Sequence, residues 1–186
     1  MTMRTVAALA ASALLATVPS AHAAPQSPLF VLVDTAAQRL QTADPVAAFK
    51  WIDGGPITDA PRAQQVLDSV AAAATAHGRD AGYVQGIFRD QIGATEGIEY
   101  TRFGQWKLMP DTAPTAAPDL AQTRSAIDAY NTAMVDEIAL QWDALHAPSC
   151  GADLAGAVDT VVADRELDPL YRQALQSATR SYCETT

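Results

Sequence analysis

Residues 80–108, DAGYVQGIFRDQIGATEGIEYTRFGQWKL, decide the fold of this chain. Their apolar residues recur at helical spacing, and Ile92, Ile98 and Phe103 indicate that most of this long predicted helix is buried. Thr95 and Glu99 lie four residues apart, on one face of the helix. Because the helix is expected to be buried, we expect these polar side chains to line a cavity; the alternative is that both are exposed.

On both sides of this stretch the chain is rich in alanine, with apolar residues three and four positions apart and little β-branched alternation. We therefore predict an all-α fold of about six helices in a single bundle. Asp44 is the expected N-cap of a short second helix, with Pro45 in its first position. Helices are expected at about residues 28–40, 45–53, 59–77, 80–108 and 119–146, with two shorter ones after residue 150 that separate near residues 168–169.

The N-terminus has the pattern of a secretory signal peptide. Arg4 precedes an apolar run over residues 6–18, and Ala21-His22-Ala23 forms a small-residue cleavage pattern. We predict a cleaved segment at residues 1–23 and a single mature domain at residues 24–186. An uncleaved membrane anchor is the alternative, but the run is shorter than the roughly 20 residues that a spanning helix requires. The mature protein is therefore expected in the periplasm or outside the cell.

The charge balance argues against polyanionic partners. The chain has 12 Lys and Arg against 21 Asp and Glu, and Arg4 leaves with the signal segment. Nucleic acids and anionic membrane surfaces are bound by basic patches, which such a composition does not favour. We expect neither as a partner.

Cys150 and Cys183 are the two cysteines of the chain. In an oxidising, exported context an even pair predicts a disulfide. A metal site that includes the distant His146 is the alternative, but it has too few ligands at the wrong spacing. The disulfide closes a loop that would stabilise the fold by roughly 3–4 kcal/mol.

Four cations stand in or near apolar helical segments: Arg39, Lys50, Arg62 and Arg124. Each has a structural explanation of its own. Arg39 suits the C-terminal end of a helix, Lys50 can extend its ammonium to solvent, and the two other arginines have nearby acids as ion-pair partners, Asp59 for Arg62 and Asp128 for Arg124. As a set in an acidic protein, they favour a buried pocket for an anion.

Other catalytic patterns are weaker. Ser149 and His146 are close in sequence but lack the strand–turn–helix context and the positioned acid of a hydrolase. No glycine-rich phosphate loop is present, and three histidines, one of them in the signal segment, argue against a catalytic metal.

Three segments carry a resemblance to a known family: DPVAAFKW at residues 44–51, the residues around DQI, Thr95 and IEY at 90–100, and the stretch from Leu167-Asp168 through Tyr171 to Cys183. Together with the signal peptide and the cysteine pair, they resemble the exported, all-helical chorismate mutases, the secreted gamma subclass of the AroQ type. The likeness runs from about residue 33 to residue 183.

The resemblance implies an isomerase of aromatic amino-acid biosynthesis that converts chorismate to prephenate without a metal or other cofactor. It also implies a homodimer whose pockets each lie within one chain. It assigns the four cations, Arg39, Lys50, Arg62 and Arg124, to binding of the dianionic substrate. It places Thr95 beside a substrate carboxylate, and Asp59 where it orients Arg62 or the substrate hydroxyl. Lys50 and Glu99 are expected on either side of the ether oxygen.

One departure concerns the substrate hydroxyl. Some intracellular members have an acid directly after the arginine that corresponds to Arg62, whereas this chain has Ala63, and Gln65 is a candidate substitute.

The alternative function is an inactive secreted helical protein that binds a small dicarboxylate or a partner protein.

Overall fold

The computed structural model describes residues 26–183, so the predicted signal peptide lies outside the described residues. Within them the fold is all-α, as predicted, and contains no strand. The α-helices are α1 (Phe30–Gln41), α2 (Ala43–Asp53), α3 (Ala60–Ala76), α4 (Ala81–Leu108), α5 (Leu120–Leu140), α6 (Trp142–Leu145), α7 (Cys150–Asp164) and α8 (Pro169–Ala178), with a 3₁₀ turn at Pro110–Thr112. The helix predicted at residues 119–146 is interrupted at Gln141, which makes α6 a separate single turn.

Aspartates begin four of these helices. The side chains of Asp59, Asp80, Asp119 and Asp168 each accept a hydrogen bond from a backbone N–H in the first turn of α3, α4, α5 and α8. The expectation for Asp44 was wrong. The chain passes from α1 through Thr42 directly into α2, so Asp44 already lies in the first turn and instead pairs with Arg102.

The helix α4 packs against α2, α3 and α8, and α1 packs against α5 and α7. Ile98 of α4 is buried, as predicted, and Phe88 is fully enclosed. Phe103 is only half-buried and meets the Trp51 ring edge-on, with 5.2 Å between the ring centres. The polar face of α4 that carries Thr95 and Glu99 points toward α1 and α2, where a cavity opens.

Within residues 26–183, no helix is both long enough and apolar enough to cross a bilayer.

The predicted disulfide is present. Cys150 at the start of α7 is bonded to Cys183 after α8, with 5.7 Å between their Cα atoms. The segment before Cys183 is held on α4, because Arg180 and Ser181 both bond the Asp90 carboxylate. The C-terminal part of the described chain is thereby fastened to two different helices.

Candidate active site

A cavity of about 230 Å³ lies between α1, α2, α3, α4 and the first half of α5. All of the residues that the resemblance assigned to the substrate line it: Arg39, Lys50, Asp59, Arg62, Thr95, Glu99 and Arg124. Apolar side chains that include Val46, Phe49, Ile92, Leu120 and Ile127 complete the walls. The arrangement is an apolar cavity with a few converging polar groups, as is typical of small-molecule sites.

Arg39 is the most buried of the cations that line the cavity, with 4% of its surface exposed. Its Nε donates to Asn131 Oδ1 at 2.7 Å, and a terminal nitrogen donates to Thr95 Oγ1 at 3.3 Å. Burial, and secondarily the charge of Arg62, lower the pKa of Arg39 to about 10. Within the described part of the chain no carboxylate lies at ion-pair distance from Arg39. Its hydrogen-bond partners are therefore neutral, and Asp128 acts on its charge only from beyond ion-pair distance.

Lys50 points into the cavity and does not extend to solvent. Its ammonium donates to Glu99 Oε2 at 2.8 Å and to the Ile57 carbonyl at 2.5 Å. Glu99 is 2% exposed, and this burial raises the pKa of its carboxyl group, while the hydrogen bond and charge of Lys50 oppose the rise. Because burial and Lys50 shift its pKa in opposite directions, this carboxyl group can change its protonation state when the occupant of the cavity changes.

The two remaining arginines pair across helices, not with their neighbours in sequence. Arg62 of α3 lies 2.5 Å from Asp128 of α5, whereas Arg124 of α5 lies 3.9 Å from Asp59 at the start of α3. Asp59 also accepts the backbone N–H of Arg62 at 3.1 Å. The partners considered from the sequence alone were thus interchanged, and both guanidinium groups are partly exposed at the cavity rim.

Thr95 contributes a hydroxyl that is oriented by two hydrogen bonds. Its Oγ1 donates to the Gln91 carbonyl at 2.8 Å and accepts from Arg39.

Gln65, considered from the sequence as a replacement for the acid that is missing at Ala63, does not line this cavity. Ala63 lines it, but Gln65 lines a second cavity between α3 and α5. Glu96 of α4 does line the first cavity, which makes it a candidate acceptor for a hydroxyl.

Sequence reasoning missed Asn131, which contacts Arg39 from behind the cavity wall. The signal that could have found it is a polar residue on an apolar face of α5. Met134, Val135 and Ile138 are buried along that face, and Asn131, with 7% exposure, lies one helical turn before the first two and two turns before Ile138.

Comparison with known proteins identifies the family. The model of chorismate mutase type II matches residues 31–100. A secreted chorismate mutase of Mycolicibacterium smegmatis is 56% identical over 89% of this chain and 91% of that protein. The chain belongs to the secreted chorismate mutases. A second member of the family, the secreted chorismate mutase of Mycobacterium tuberculosis, is 49% identical over 89% of this chain and 83% of that protein.

Solved structures agree with this assignment. A chorismate mutase from Burkholderia phymatum superposes with a TM-score of 0.81 at 31% identity, covering 86% of this chain and 98% of that one. The resemblance seen in the segments at residues 44–51, 90–100 and 167–183 is thereby confirmed, and so is the all-α fold of the family.

Proposed function

We propose that this exported protein rearranges chorismate to prephenate in the cavity between α1 and α5. The observation that carries the proposal is the convergence of Arg39, Lys50, Arg62 and Arg124 on one cavity in which Arg39 has only neutral partners among the described residues. A dicarboxylate small molecule supplies the missing negative charge.

The reaction is a unimolecular rearrangement in which a carbon–oxygen bond breaks while a carbon–carbon bond forms. It needs no nucleophile, so the protein has two tasks. One is to hold the compact conformer in which the two reacting carbons approach each other, which is a matter of positioning. The other is to stabilise the negative charge that grows on the ether oxygen in the transition state. A walled cavity with fixed cations suits both tasks.

In this proposal the arginines hold the carboxylates, because guanidinium groups match carboxylate geometry. Arg39 binds the deeper carboxylate beside Thr95, and Arg62 and Arg124 bind at the rim. Lys50 donates to the ether oxygen, and Glu99 lies next to it. Asp59 or Glu96 accepts the substrate hydroxyl, since both line the cavity where Ala63 offers no polar group.

Glu99 must be neutral when the substrate is bound, because a carboxylate beside the ether oxygen would repel the developing charge. Its buried position favours the neutral form. As a carboxylic acid it then donates a second hydrogen bond to the ether oxygen, alongside Lys50.

Purified mature protein mixed with chorismate tests the activity directly, with loss of chorismate absorbance and appearance of prephenate as the expected result. Lys50 and Lys107 are the lysines of the chain, and Lys107 is exposed near the end of α4. Lys50→Ala should lower kcat/KM by about 10²–10³-fold, whereas Lys107→Ala should leave it unchanged. Binding of chorismate without turnover would instead support the inactive dicarboxylate-binding protein.

The mature form is proposed to be a single domain of residues 24–186 that acts as a homodimer, as its family implies. N-terminal sequencing of the exported protein should begin at Ala24, and its mass in solution should be that of two mature chains. A protein that retains residues 1–23, or that is monomeric at assay concentration, would contradict these two points separately.

A further inference from the structure

Asn131 lies behind the wall of the active-site cavity, in the part of α5 that faces α1. Its amide oxygen accepts the hydrogen bond of Arg39 Nε at 2.7 Å, and both side chains are buried. Asn131 does not line the active-site cavity itself but lines the neighbouring cavity between α3 and α5. Its hydrogen bond to the site is the one to Arg39, while Arg62 and its partner Asp128 line the same neighbouring cavity.

The chemistry of this contact is unusual for a buried arginine. Buried charges in proteins are ordinarily paired with an opposite charge, because removing an ion from water without compensation is costly. Arg39 has a side-chain amide and a hydroxyl as its hydrogen-bond partners in the described residues. The charge of Arg62 adds to the lowering of its pKa, and Asp128, which is not at ion-pair distance, opposes this only weakly. The protein thus orients this positive charge through neutral hydrogen-bond partners, with no carboxylate at ion-pair distance among the described residues.

We propose that Asn131 is a positioning residue, which fixes the Arg39 guanidinium through a neutral amide so that a substrate carboxylate becomes its counter-charge. The inference rests on the proposed function, since it takes the substrate to be the dianion chorismate. An aspartate at this position would have nearly the same shape and would be a stronger acceptor. It would form an ion pair with Arg39 and repel the incoming carboxylate, so the neutral amide gives lower stability but higher affinity for the substrate.

The decisive variant is Asn131→Asp, with Asn131→Ala beside it. In the absence of substrate, Asn131→Asp should raise the melting temperature, because the buried guanidinium gains an ion-pair partner, whereas Asn131→Ala should lower it. With chorismate, Asn131→Asp should raise KM by about 10- to 100-fold and change kcat much less, since the lost interaction serves the ground state and the transition state alike.

Ala129→Asp is the matched control, because it adds the same charge on an exposed position of α5. It should leave both the melting temperature and KM as in the wild type. A side chain with only a packing role would make Asn131→Asp less stable, and that result overturns the inference. A wild-type KM in Asn131→Asp overturns it as well.

The two proposals fail in different ways. If the wild type does not convert chorismate, the proposed function falls, but the order of melting temperatures among the ligand-free variants still tests the role of Asn131. If the wild type is active and that order is reversed, the enzyme assignment stands and the inference about Asn131 falls.

Discussion

Among the individual side chains, Lys50 and Glu99 show two opposing influences on one carboxyl group. The ammonium at 2.8 Å favours the ionised form of Glu99, while burial favours the neutral form and is the larger of the two. Asp59 and Asp128 act differently, because they accompany the rim arginines at positions that remain open to solvent. In the proposed mechanism the deep pair acts in catalysis, and the rim pairs open to an incoming anion.

The protonation of Glu99 predicts a pH dependence. The pKa of this carboxyl group is raised, so its neutral fraction is complete at acid pH and decreases as the pH rises through the raised value. The kcat/KM of the wild type should therefore fall toward alkaline pH, whereas Glu99→Gln, which cannot ionise, should keep a flat profile over that range. Parallel pH–rate profiles of the two proteins check this, and an equal alkaline decline in both would remove the proposed role.

Asp128 should compete with the substrate for Arg62. Its side chain is 57% exposed, so the ion pair with Arg62 contributes little to stability but must open before Arg62 can bind a carboxylate. We expect Asp128→Asn to lower the KM for chorismate by up to about fivefold, the equivalent of a surface ion pair. Asp136→Asn removes the same charge two turns along α5 and should leave KM unchanged. An increase of KM in Asp128→Asn would mean that Asp128 orients Arg62 productively.

Among the helices, the starts of α3 and α5 determine the rim of the site. Asp59 caps α3 through the Arg62 backbone N–H, and α5 begins at Leu120, which places Arg124 in its second turn. The two helices pack side by side. Arg62 of α3 pairs with Asp128 of α5, and Arg124 of α5 pairs with Asp59 at the start of α3. A local capping signal in the sequence is therefore also a determinant of the proposed binding site.

Asp59 should affect both stability and binding. Removing a capping side chain costs about 0.5–2 kcal/mol of the free energy of unfolding, so Asp59→Ala and Asp80→Ala should be destabilised alike in urea titrations. Of these two variants, only Asp59→Ala should also change the KM for chorismate, since Asp80 caps α4 and does not line the cavity. An Asp59→Ala variant with unchanged KM would restrict Asp59 to its capping role.

For the whole molecule, the disulfide and the candidate active-site cavity are built from different helices. The bridge joins the start of α7 to the segment after α8, while the cavity is built from α1 to α5. The contacts of Arg180 and Ser181 with Asp90 connect that segment to α4 at a point more than one turn before Thr95. Stability and catalysis should therefore respond separately to loss of the bridge.

Replacing both cysteines tests this separation. The double variant Cys150→Ala/Cys183→Ala should lose roughly 3–4 kcal/mol of the free energy of unfolding, because its unfolded chain regains the entropy of an open loop. Its KM for chorismate should equal that of the wild type at a temperature where both are folded. Urea titration and steady-state kinetics check the two expectations, and a large change in KM would show that the bridge shapes the cavity.

Much of this protein was determined by its sequence alone. Apolar residues at helical spacing predicted the all-α fold and the long helix at residues 80–108, and the cysteine pair predicted the disulfide. The selected cations and acids do line one cavity: Arg39 and Glu99 lie on buried helix faces, whereas Arg62 and Arg124 reach it from its partly exposed rim. Such patterns report which face of a helix is buried.

Only the tertiary structure decided which groups bind each other. Arg62 pairs with Asp128 and Arg124 with Asp59, Gln65 faces a second cavity, and Asn131 supports Arg39 from a helix that lies far away in sequence. The partner of a long side chain depends on the rotation and offset of the neighbouring helix, and those are set by the packing of the whole core. Periodicity along one helix does not contain that information.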